Sequence, residues 1–512
     1  MVALDDRQKV IVSFVISIAL GIPVWWYSMQ VYRAPLPHDI MTNTHVPDDW
    51  RLKLSVHVVG NQANVDNALE VFKQHVDAFE TPERYTQPRT KTQVEFNGIY
   101  DSNLIVPEKE IDDWLLSRYN ATNQSVNGVY ALYILLTDRS SDKTLSLGKY
   151  RHGWVCTSPQ NIGADFVRSM AQSSQNYMLN RPSDNQIAMR PAVEYKISFS
   201  MLNMNPQLLR PDWDIEGAVR SYLRPFLNEI HDVADFKIDS QIIHYTSLLK
   251  QPSFDRETKR LFIDHDKLSM YLNPSTWNLD LMEMSIDPVI HLILFVTEPG
   301  QPIYIREEGG KWSETNAFIS PQWGGVFIYN PPTSGDVLLS SVVDLQPAME
   351  IFVSQLRQLL GVGEISSDEV VYHHQMTKGI SQYERDLLYR RYTWLHYNQT
   401  VSTIKSLSVL VQSLQNMVVH DNIASLVDHS LQELELCREK CRDLDYDSAV
   451  LHARTATRDA EIAFFDPDML ALLYFPQEHK AAIYALPFFP VFFQLISGII
   501  SEIRHRRKQK EE

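Results

Sequence analysis

Two long apolar segments without a charged residue lie near the two ends of the 512-residue chain. The first covers residues 10–26 (VIVSFVISIALGIPVWW), and with Tyr27 added it forms roughly 27 Å of α-helix. The second covers residues 481–500 (AAIYALPFFPVFFQLISGII), roughly 30 Å of helix. Because the hydrocarbon core of a bilayer is about 30 Å thick, the sequence predicts membrane-spanning helices at residues 10–27 and 481–500.

A cleaved signal peptide is the alternative interpretation of the first segment. A cleavage site needs small residues, and the bulky side chains of Trp25, Trp26 and Tyr27 stand in that place. Aromatic residues of this kind are typical of the membrane–water interface. The sequence therefore favours a retained anchor.

The basic residues around the second segment predict the orientation of the chain. Only Lys480 directly precedes the segment, whereas five basic residues follow it: Arg504, Arg506, Arg507, Lys508 and Lys510. Since basic residues accumulate on the cytoplasmic side, the tail at residues 501–512 is predicted to be cytoplasmic. Two spans bring both ends to one side, so residues 1–9 are also predicted to be cytoplasmic, and residues 28–480 to lie outside the cytosol.

The composition is that of a folded protein whose mass lies mostly in water. Hydrophobic residues make up 44% of the chain and charged residues 21%. The mean hydropathy of −0.24 is too polar for a transporter with many spans. A net charge of −16 repels phosphate backbones, so the sequence disfavours binding to nucleic acid.

Sequons and cysteines give further expectations about the part outside the cytosol. Sequons at Asn120, Asn123 and Asn398 are expected to be glycosylation sites. Three cysteines are too few for a disulfide scaffold. Cys437 and Cys441 are four residues apart in a helical pattern, which can place both sulfurs on one face. The sequence leaves a pair of thiols and a disulfide as alternatives.

Apolar periodicity predicts strands and helices in alternation through the first two thirds of the chain. Apolar residues alternate from residue 52 to 58, which predicts a strand, and recur every three or four residues from 65 to 79, which predicts a helix. Uninterrupted apolar runs at residues 129–136 (VYALYILL) and 289–296 (VIHLILFV) predict central strands that are covered on both faces.

This alternation continues to about residue 362, with another strand at residues 325–329 (GVFIY), and we find no internal sequence repeat. From about residue 381 the strand pattern disappears, and apolar positions at heptad-like spacing predict two to four antiparallel helices. The sequence thus predicts an α/β domain at residues 28–362 and a helical region at residues 363–480.

Common catalytic signatures are absent from the sequence, including phosphate loops, dinucleotide fingerprints, nucleophile elbows, zinc helices and calcium loops. The nearest approach is His152 with Cys156, since caspase-like peptidases use a histidine base and a cysteine nucleophile. Those enzymes carry the cysteine tens of residues downstream, so a structural role is favoured here. His373 and His374 would point about 100° apart on a helix, without a nearby third ligand. The sequence predicts no catalytic residue, metal or cofactor.

A few residues are candidates for contact with partners or with lipid. Trp25 and Trp26 lie at the predicted membrane interface. Ser497 and Gly498 provide a small-residue surface on which a neighbouring helix can pack closely. Trp323, which precedes two glycines, is a candidate for docking a partner or lipid, although a tight turn before the next strand is the favoured interpretation.

Short motifs from one end of the chain to the other resemble those of a single family. They are WW at 25–26, YRAPLP at 32–37, WGGV at 323–326 with YN at 329–330, QLR at 355–357 with LLG at 359–361, NMVV at 416–419 with Asp421, and YFPQEHK at 474–480. In this order, and with both apolar segments, they resemble the PIG-S family, a subunit of the glycosylphosphatidylinositol (GPI) transamidase. Residues 60–290 resemble the family less clearly.

The resemblance implies a non-catalytic subunit of the endoplasmic reticulum membrane that takes part in GPI-anchor biosynthesis. In that complex a separate caspase-like cysteine peptidase cleaves the C-terminal signal of a proprotein and transfers the new carboxyl group to GPI. The implied partners are the other transamidase subunits and membrane lipid, and the family offers no catalytic residue to carry over. The alternatives are a membrane-anchored luminal hydrolase or transferase, and a lipid-binding adaptor that uses Trp323.

Overall fold

The chain divides into two compact units in the computed structural model. One unit consists of Met1–Thr44, Val401–Leu431 and Asp459–Glu512, and the other of His45–Thr400 and Gln432–Arg458. The residues that the structure describes are 6–29, 32–47, 50–79, 90–107, 110–119, 127–137, 144–179, 189–271, 287–332, 340–362, 370–373, 378–414, 417–467, 469 and 486–511.

The described strands all belong to the unit that contains His45–Thr400, which we call the α/β unit. In chain order they are β1 (Trp50–Gly60), β2 (Thr90–Tyr100), β3 (Val129–Leu136), β4 (Leu145–Leu147), β5 (His152–Thr157), β6 (Glu194–Asn203), β7 (Arg210–Asp212), β8 (Asp235–His244), β9 (Ser253–Asp255), β10 (Arg260–Asp264), β11 (Val289–Val296), β12 (Ile303–Arg306), β13 (Ala317–Ser320), β14 (Gly324–Tyr329), β15 (Ser340–Val342) and β16 (Val370–Tyr372).

The described helices in chain order are α1 (Asp6–Met29), α2 (His38–Asn43), α3 (Gln62–Gln74), α4 (Ile111–Tyr119), α5 (Ala164–Ser173), α6 (Ile215–Ala218), α7 (Arg224–Glu229), α8 (Leu268–Tyr271), α9 (Gln346–Leu359), α10 (Gln382–Ser413), α11 (Asp421–Arg442), α12 (Tyr446–Phe464) and α13 (Phe489–Glu511). Helices α10, α11 and α12 form the helical C-terminal region that the heptad-like spacing predicts. The chain is therefore mixed α/β with a helical C-terminal region.

Two large sheets form the centre of the α/β unit. The first has the strand order β16-β4-β5-β3-β1-β2, and the second has the order β13-β14-β11-β6-β8. Neighbouring strands are parallel except at β4 with β5 and at β13 with β14. Parallel strands need crossover connections, which α3 and the other helices between the strands supply. The smaller sheets are β12-β10-β9 and β15-β7.

The two large sheets repeat one topology. In each, the first strand in sequence, β1 or β6, lies inside the sheet. The next strand of that sheet, β2 or β8, pairs with it at the edge, and the third, β3 or β11, pairs with it on the opposite side. The fourth parallel strand, β5 or β14, pairs with the third. A short strand that directly precedes it in the chain, β4 or β13, pairs with its outer edge in antiparallel orientation. The registers also match, because Lys53 pairs with Val129 in one sheet and Lys196 with Val289 in the other. This repeat is not visible in the sequence.

Apolar layers on both sides bury the central strands, as the uninterrupted apolar runs predict. Strand β3 is buried from Tyr130 onward, and all residues of β11 after Val289 are buried. In the second sheet, Phe199 packs edge-on against Phe352 of α9, with ring centroids 5.7 Å apart. Burial of one such side chain contributes about 1.5–3 kcal/mol, so this core holds the sheet and α9 together.

One strand lies where the sequence predicts only helices. Residues Val370–Tyr372 form β16, which pairs in parallel with β4 at the end of the first sheet. The apolar pattern of three residues is too short to distinguish a strand from a helical turn, so only the pairing reveals it.

The apolar segments at the two ends are partly described. Helix α1 contains residues 10–27, and α13 begins at Phe489, whereas residues 481–485 lie outside the described residues. Among the described helices, none is both long and apolar enough to cross a membrane. This finding therefore does not support the two predicted membrane-spanning helices.

Candidate scaffold site

Helix α10 carries a buried carboxylate, Asp386, that faces the first large sheet. The Nε and Nη2 atoms of Arg151, which precedes β5, lie 2.6 Å and 2.9 Å from Asp386 Oδ2 and Oδ1. The exposed fractions of the two side chains are 6% and 0%. Two parallel charge-assisted hydrogen bonds offset part of the cost of removing both charges from water. The ion pair therefore fixes α10 against this sheet.

Two further side chains complete the hydrogen bonding around this carboxylate. Tyr130 of β3 donates its hydroxyl hydrogen to Asp386 Oδ2 over 3.1 Å. Arg390, one helical turn after Asp386, contacts the Tyr130 hydroxyl and donates to the carbonyl oxygen of Leu179 over 2.7 Å. Burial raises the pKa of Tyr130, which keeps its hydroxyl protonated as a donor.

Asp447 of α12 joins the same network from the helical region. Its Oδ1 lies 3.4 Å from Nη2 of Arg385 and accepts a hydrogen bond from Nδ2 of Asn127 over 3.3 Å. Burial raises the pKa of Asp447. Asn127 precedes β3, so this carboxylate links α10, α12 and the first sheet.

The other side of α10 contacts the second large sheet and its helices. The hydroxyl of Tyr392 lies 3.3 Å from that of Tyr195 in β6. The hydroxyl of Tyr389 lies 3.0 Å from the carbonyl oxygen of Glu229 in α7 and 3.0 Å from Oδ2 of Asp232. Asp386 and Arg390 are four residues apart and contact the first sheet, whereas Tyr389 and Tyr392 are three apart and contact the second sheet and α7, so each pair forms its own stripe along α10.

A capping box fixes the start of α10. Ser381 donates its backbone N–H and its hydroxyl to Oε2 of Glu384, each over 3.0 Å, and the backbone N–H of Glu384 lies 3.4 Å from Ser381 Oγ. Arg357 of α9 donates to Glu384 Oε1 over 3.0 Å and also contacts the carbonyl oxygen of Gly379. The Ser-x-x-Glu spacing is a local sequence signal of this cap, although the apolar pattern alone does not reveal it.

The glycines of the WGGV motif are required by close packing. A Cβ atom on Gly324, whose φ is +155°, would lie 1.9 Å from the backbone oxygen of His291 on β11. A Cβ atom on Gly325 would lie 2.1 Å from Oε1 of Gln355. The motif therefore lets β14 approach both β11 and α9 at distances that no side chain permits.

Gln355 of the QLR motif uses the space that Gly325 leaves. Its Nε2 atom donates to the carbonyl oxygen of Phe318 in β13 over 3.0 Å and to that of Val326 in β14 over 3.1 Å. One amide thus holds the short antiparallel edge strand to its neighbour. Together, Gly325 and Gln355 show that both motifs stabilise the second sheet.

The YRAPLP and NMVV motifs meet in the other unit. The backbone N–H of Ala34 donates to the carbonyl oxygen of Val419 over 2.8 Å, and the hydroxyl of Tyr32 donates to Asp421 Oδ1 over 2.7 Å. Arg33 contacts the carbonyl oxygen of Val411 near the end of α10. These contacts join the segment after α1 to the start of α11. The YFPQEHK motif at residues 474–480 lies outside the described residues.

The geometry separates the histidine and cysteine that most resemble a catalytic pair. His152 Nε2 lies 2.8 Å from Asp112 Oδ1, while Asp112 Oδ2 accepts the backbone N–H of Lys149 over 2.7 Å. Cys156 is four residues further along β5, which at about 3.3 Å per residue is roughly 13 Å away. The two side chains are too far apart for proton transfer, and His152 lies at the amino end of a parallel strand.

The carboxyl ends of the parallel strands, where open α/β sheets usually bind ligands, are occupied by internal hydrogen bonds in the second sheet. Asn203 Nδ2 donates to the carbonyl oxygen of Leu209 over 2.7 Å. Asn330 Oδ1 accepts from the Thr297 hydroxyl over 3.0 Å and from the backbone N–H of Ile303 over 2.9 Å. These polar groups are therefore used to hold loops in place.

The predicted contact residues lie in different settings. Trp323 is half-buried and stacks on His291, with ring centroids 5.1 Å apart, in the turn before β14. Trp25 packs edge-on against Phe488 at 5.5 Å. Ser497 is exposed and Gly498 half-buried on α13, and the side chain of Trp26 lies outside the described residues.

The predicted modification sites are also described in part. Asn398 is exposed on α10, whereas Asn120 and Asn123 lie outside the described residues. Cys437 and Cys441 are buried in α11 and carry thiols rather than a disulfide.

His373 stacks on Trp154 with ring centroids 5.2 Å apart, and His374 lies outside the described residues. Within the described ranges, no three His, Cys, Asp or Glu side chains are arranged to hold a metal ion.

The fold and these contacts define a mixed α/β protein with a helical C-terminal region whose motif residues join distant segments. The family model described as "Phosphatidylinositol-glycan biosynthesis class S protein" (PIG-S) matches residues 12–509. The chain therefore belongs to the PIG-S family.

Curated relatives match over nearly the whole chain. The human protein named "GPI-anchor transamidase component PIGS" is 28% identical, over 96% of this chain and 94% of its own length. "GPI transamidase component PIG-S homolog" of Schizosaccharomyces pombe is 23% identical, over 99% and 85%. "GPI transamidase component GPI17" of Saccharomyces cerevisiae is 24% identical, over 96% and 91%.

Proposed function

We propose that this chain is a non-catalytic structural subunit of a GPI transamidase complex and supports attachment of GPI anchors to proproteins. The observation that carries the proposal is membership of the PIG-S family over residues 12–509. The names of relatives from human and two yeasts describe components of this transamidase. A caspase-like cysteine peptidase on a separate chain would perform the cleavage and transfer.

The use of polar residues in the α/β unit supports a structural role. Two buried ion pairs, Arg151 with Asp386 and Arg357 with Glu384, fix α10 against the first sheet and against α9. A catalytic carboxylate or histidine must instead meet substrate. Such buried ion pairs hold a fixed relative position of elements, which is what a subunit that positions partners needs.

The chain is proposed to lie in the endoplasmic reticulum membrane as a two-pass glycoprotein, with cytoplasmic termini and a luminal body at residues 28–480. The support comes from the sequence: two segments carry no charge, and five basic residues follow the second one whereas only Lys480 directly precedes it. Protease added outside sealed microsomes should leave the body intact and remove only the ends. Digestion of the body in intact vesicles would refute this orientation.

Partner recovery tests the proposed membership in a complex. The tagged chain, extracted in mild detergent, should recover a cysteine-peptidase subunit and the other transamidase subunits in stoichiometric amounts by mass spectrometry. The matched control is the same tag on an unrelated luminal membrane protein. Recovery of the chain alone, with turnover of a peptide or GPI substrate, would support an independent enzyme instead.

Helix α13 carries a proposed contact surface for a partner helix. Its small residues Ser497 and Gly498 permit close approach of another helix. Replacement of both by Leu should reduce recovery of partner subunits, while Ile499→Leu on the same helix should leave recovery unchanged. Unchanged recovery with the double replacement would exclude this surface.

A further inference from the structure

The sequon at Asn398 lies in an unusual position, within the interior of a long helix. Residues 398–400 (NQT) belong to α10, which runs from Gln382 to Ser413. The side chain of Asn398 is exposed, whereas Thr400 is fully buried. Acceptor sequons usually lie in surface loops, where both residues of the motif can be reached. The two halves of this sequon therefore differ in accessibility.

The hydroxyl of Thr400 is used inside the protein. It lies 2.9 Å from the hydroxyl of Thr457 on α12 and 2.9 Å from the carbonyl oxygen of His396. Thr457 is itself fully buried, and its hydroxyl lies 3.1 Å from the same His396 oxygen and 3.0 Å from that of Ala453. Thr400 is thus part of the contact between α10 and α12, which gives this residue a structural reason to be a threonine.

Helical geometry adds a second obstacle. Successive residues on an α-helix are about 100° apart, so Asn398 and Thr400 point roughly 200° apart, to nearly opposite sides. The sequon is defined by both residues, and an enzyme that reads it must contact both at one site. A single binding site cannot reach both side chains while α10 is formed.

We propose that Asn398 is a glycan acceptor only in the unfolded chain, before α10 forms and packs against α12. In the reaction, Asn398 Nδ2 forms a bond to the anomeric carbon of an oligosaccharide carried on a lipid diphosphate. The bond from that carbon to the diphosphate oxygen breaks, the lipid diphosphate leaves, and the amide loses one proton. Once α10 has packed, the exposed side chain leaves room for a glycan that is already attached, but not for new transfer.

The experiment compares two acceptors with one enzyme and donor, and it does not depend on membrane orientation. Purified oligosaccharyltransferase and lipid-linked oligosaccharide are incubated with the folded full-length chain lacking glycans and with a synthetic peptide of residues 392–404. Modification at Asn398 is measured by mass spectrometry. The peptide should be modified at least about tenfold faster, because transfer to the full-length chain requires opening of the helix.

Variants keep the outcome interpretable. Thr457→Val in the full-length chain should speed transfer, because it removes the hydroxyl that pairs with Thr400 and loosens the helix contact. Asn398→Gln should abolish the signal in both acceptors. Equal rates for the peptide and the folded wild-type chain would overturn the proposal, and so would a peptide that is not modified.

Discussion

Gly324 is a residue at which a single methyl group should damage the fold. A Cβ atom there would lie 1.9 Å from the backbone oxygen of His291, and neither backbone can move without breaking the pairing of β11 with β14. Gly324→Ala should therefore lower the free energy of unfolding by about 3 kcal/mol, as overpacking of a rigid site does. Denaturant unfolding of the purified chain measures this.

The control is Gly163→Ala. Gly163 has a φ of −140°, and nothing lies within 4 Å of a Cβ built on it, so its replacement should change stability by less than about 1 kcal/mol. Equal effects of the two variants would show that the contact with His291 is not the cause.

His396 should make stability depend on pH. Burial lowers the pKa of this α10 histidine to about 4, below its ordinary value of 6.5. Between these values the unfolded state binds the proton and the folded state does not, so stability is complete above pH 6.5 and falls toward pH 4. Over this range His396 should account for about 3 kcal/mol.

His396→Leu removes the titrating group. Denaturant unfolding at pH 7 and at pH 4 should show a smaller difference for this variant than for the wild type. An identical loss of stability in both proteins would assign the acid sensitivity to other groups.

At the scale of elements, α10 depends on its buried carboxylate. Asp386→Ala leaves Arg151 with an uncompensated buried charge, so it should cost about 3–5 kcal/mol of stability. The matched control is Glu95→Ala, which removes the half-exposed pair of Glu95 with Lys53 in β1 and should cost at most about 1 kcal/mol. Similar costs for both would contradict the role given to α10.

Elements with a regular apolar pattern were predictable. The strands at residues 129–136 and 289–296 and the helical C-terminal region are confirmed, because burial on both faces, or on one helical stripe, leaves a periodic record in the sequence. The repeated strand order leaves no such record in the sequence, because strand pairing is decided by contacts between distant segments. Arg151 and Asp386, 235 positions apart, could not be paired from local spacing.

The motif residues were predictable as features but not in their roles. The WGGV motif is visible in the sequence, and its tight turn before β14 is confirmed by the turn that contains Trp323. That Gly325 admits the Gln355 amide depends on α9, about thirty residues away. The capping box at Ser381 was within reach of sequence reasoning, because its spacing is local.

As a whole molecule, the chain is proposed to hold other subunits and to perform no chemistry itself. A change within the fold should then alter how much complex assembles, and not how well each assembled complex works. A catalytic subunit would show the reverse for residues that take part in the reaction.

The most direct measurement is GPI-anchor attachment per assembled complex, in cells whose own copy of this chain is replaced by Cys156→Ala or by His152→Gln. Complex is quantified by recovery of the peptidase subunit, and attachment by the yield of anchored reporter protein. We expect wild-type attachment per complex for both variants, even where less complex assembles. Normal assembly with attachment per complex reduced at least about a hundredfold, the loss typical of a missing catalytic group, would contradict it.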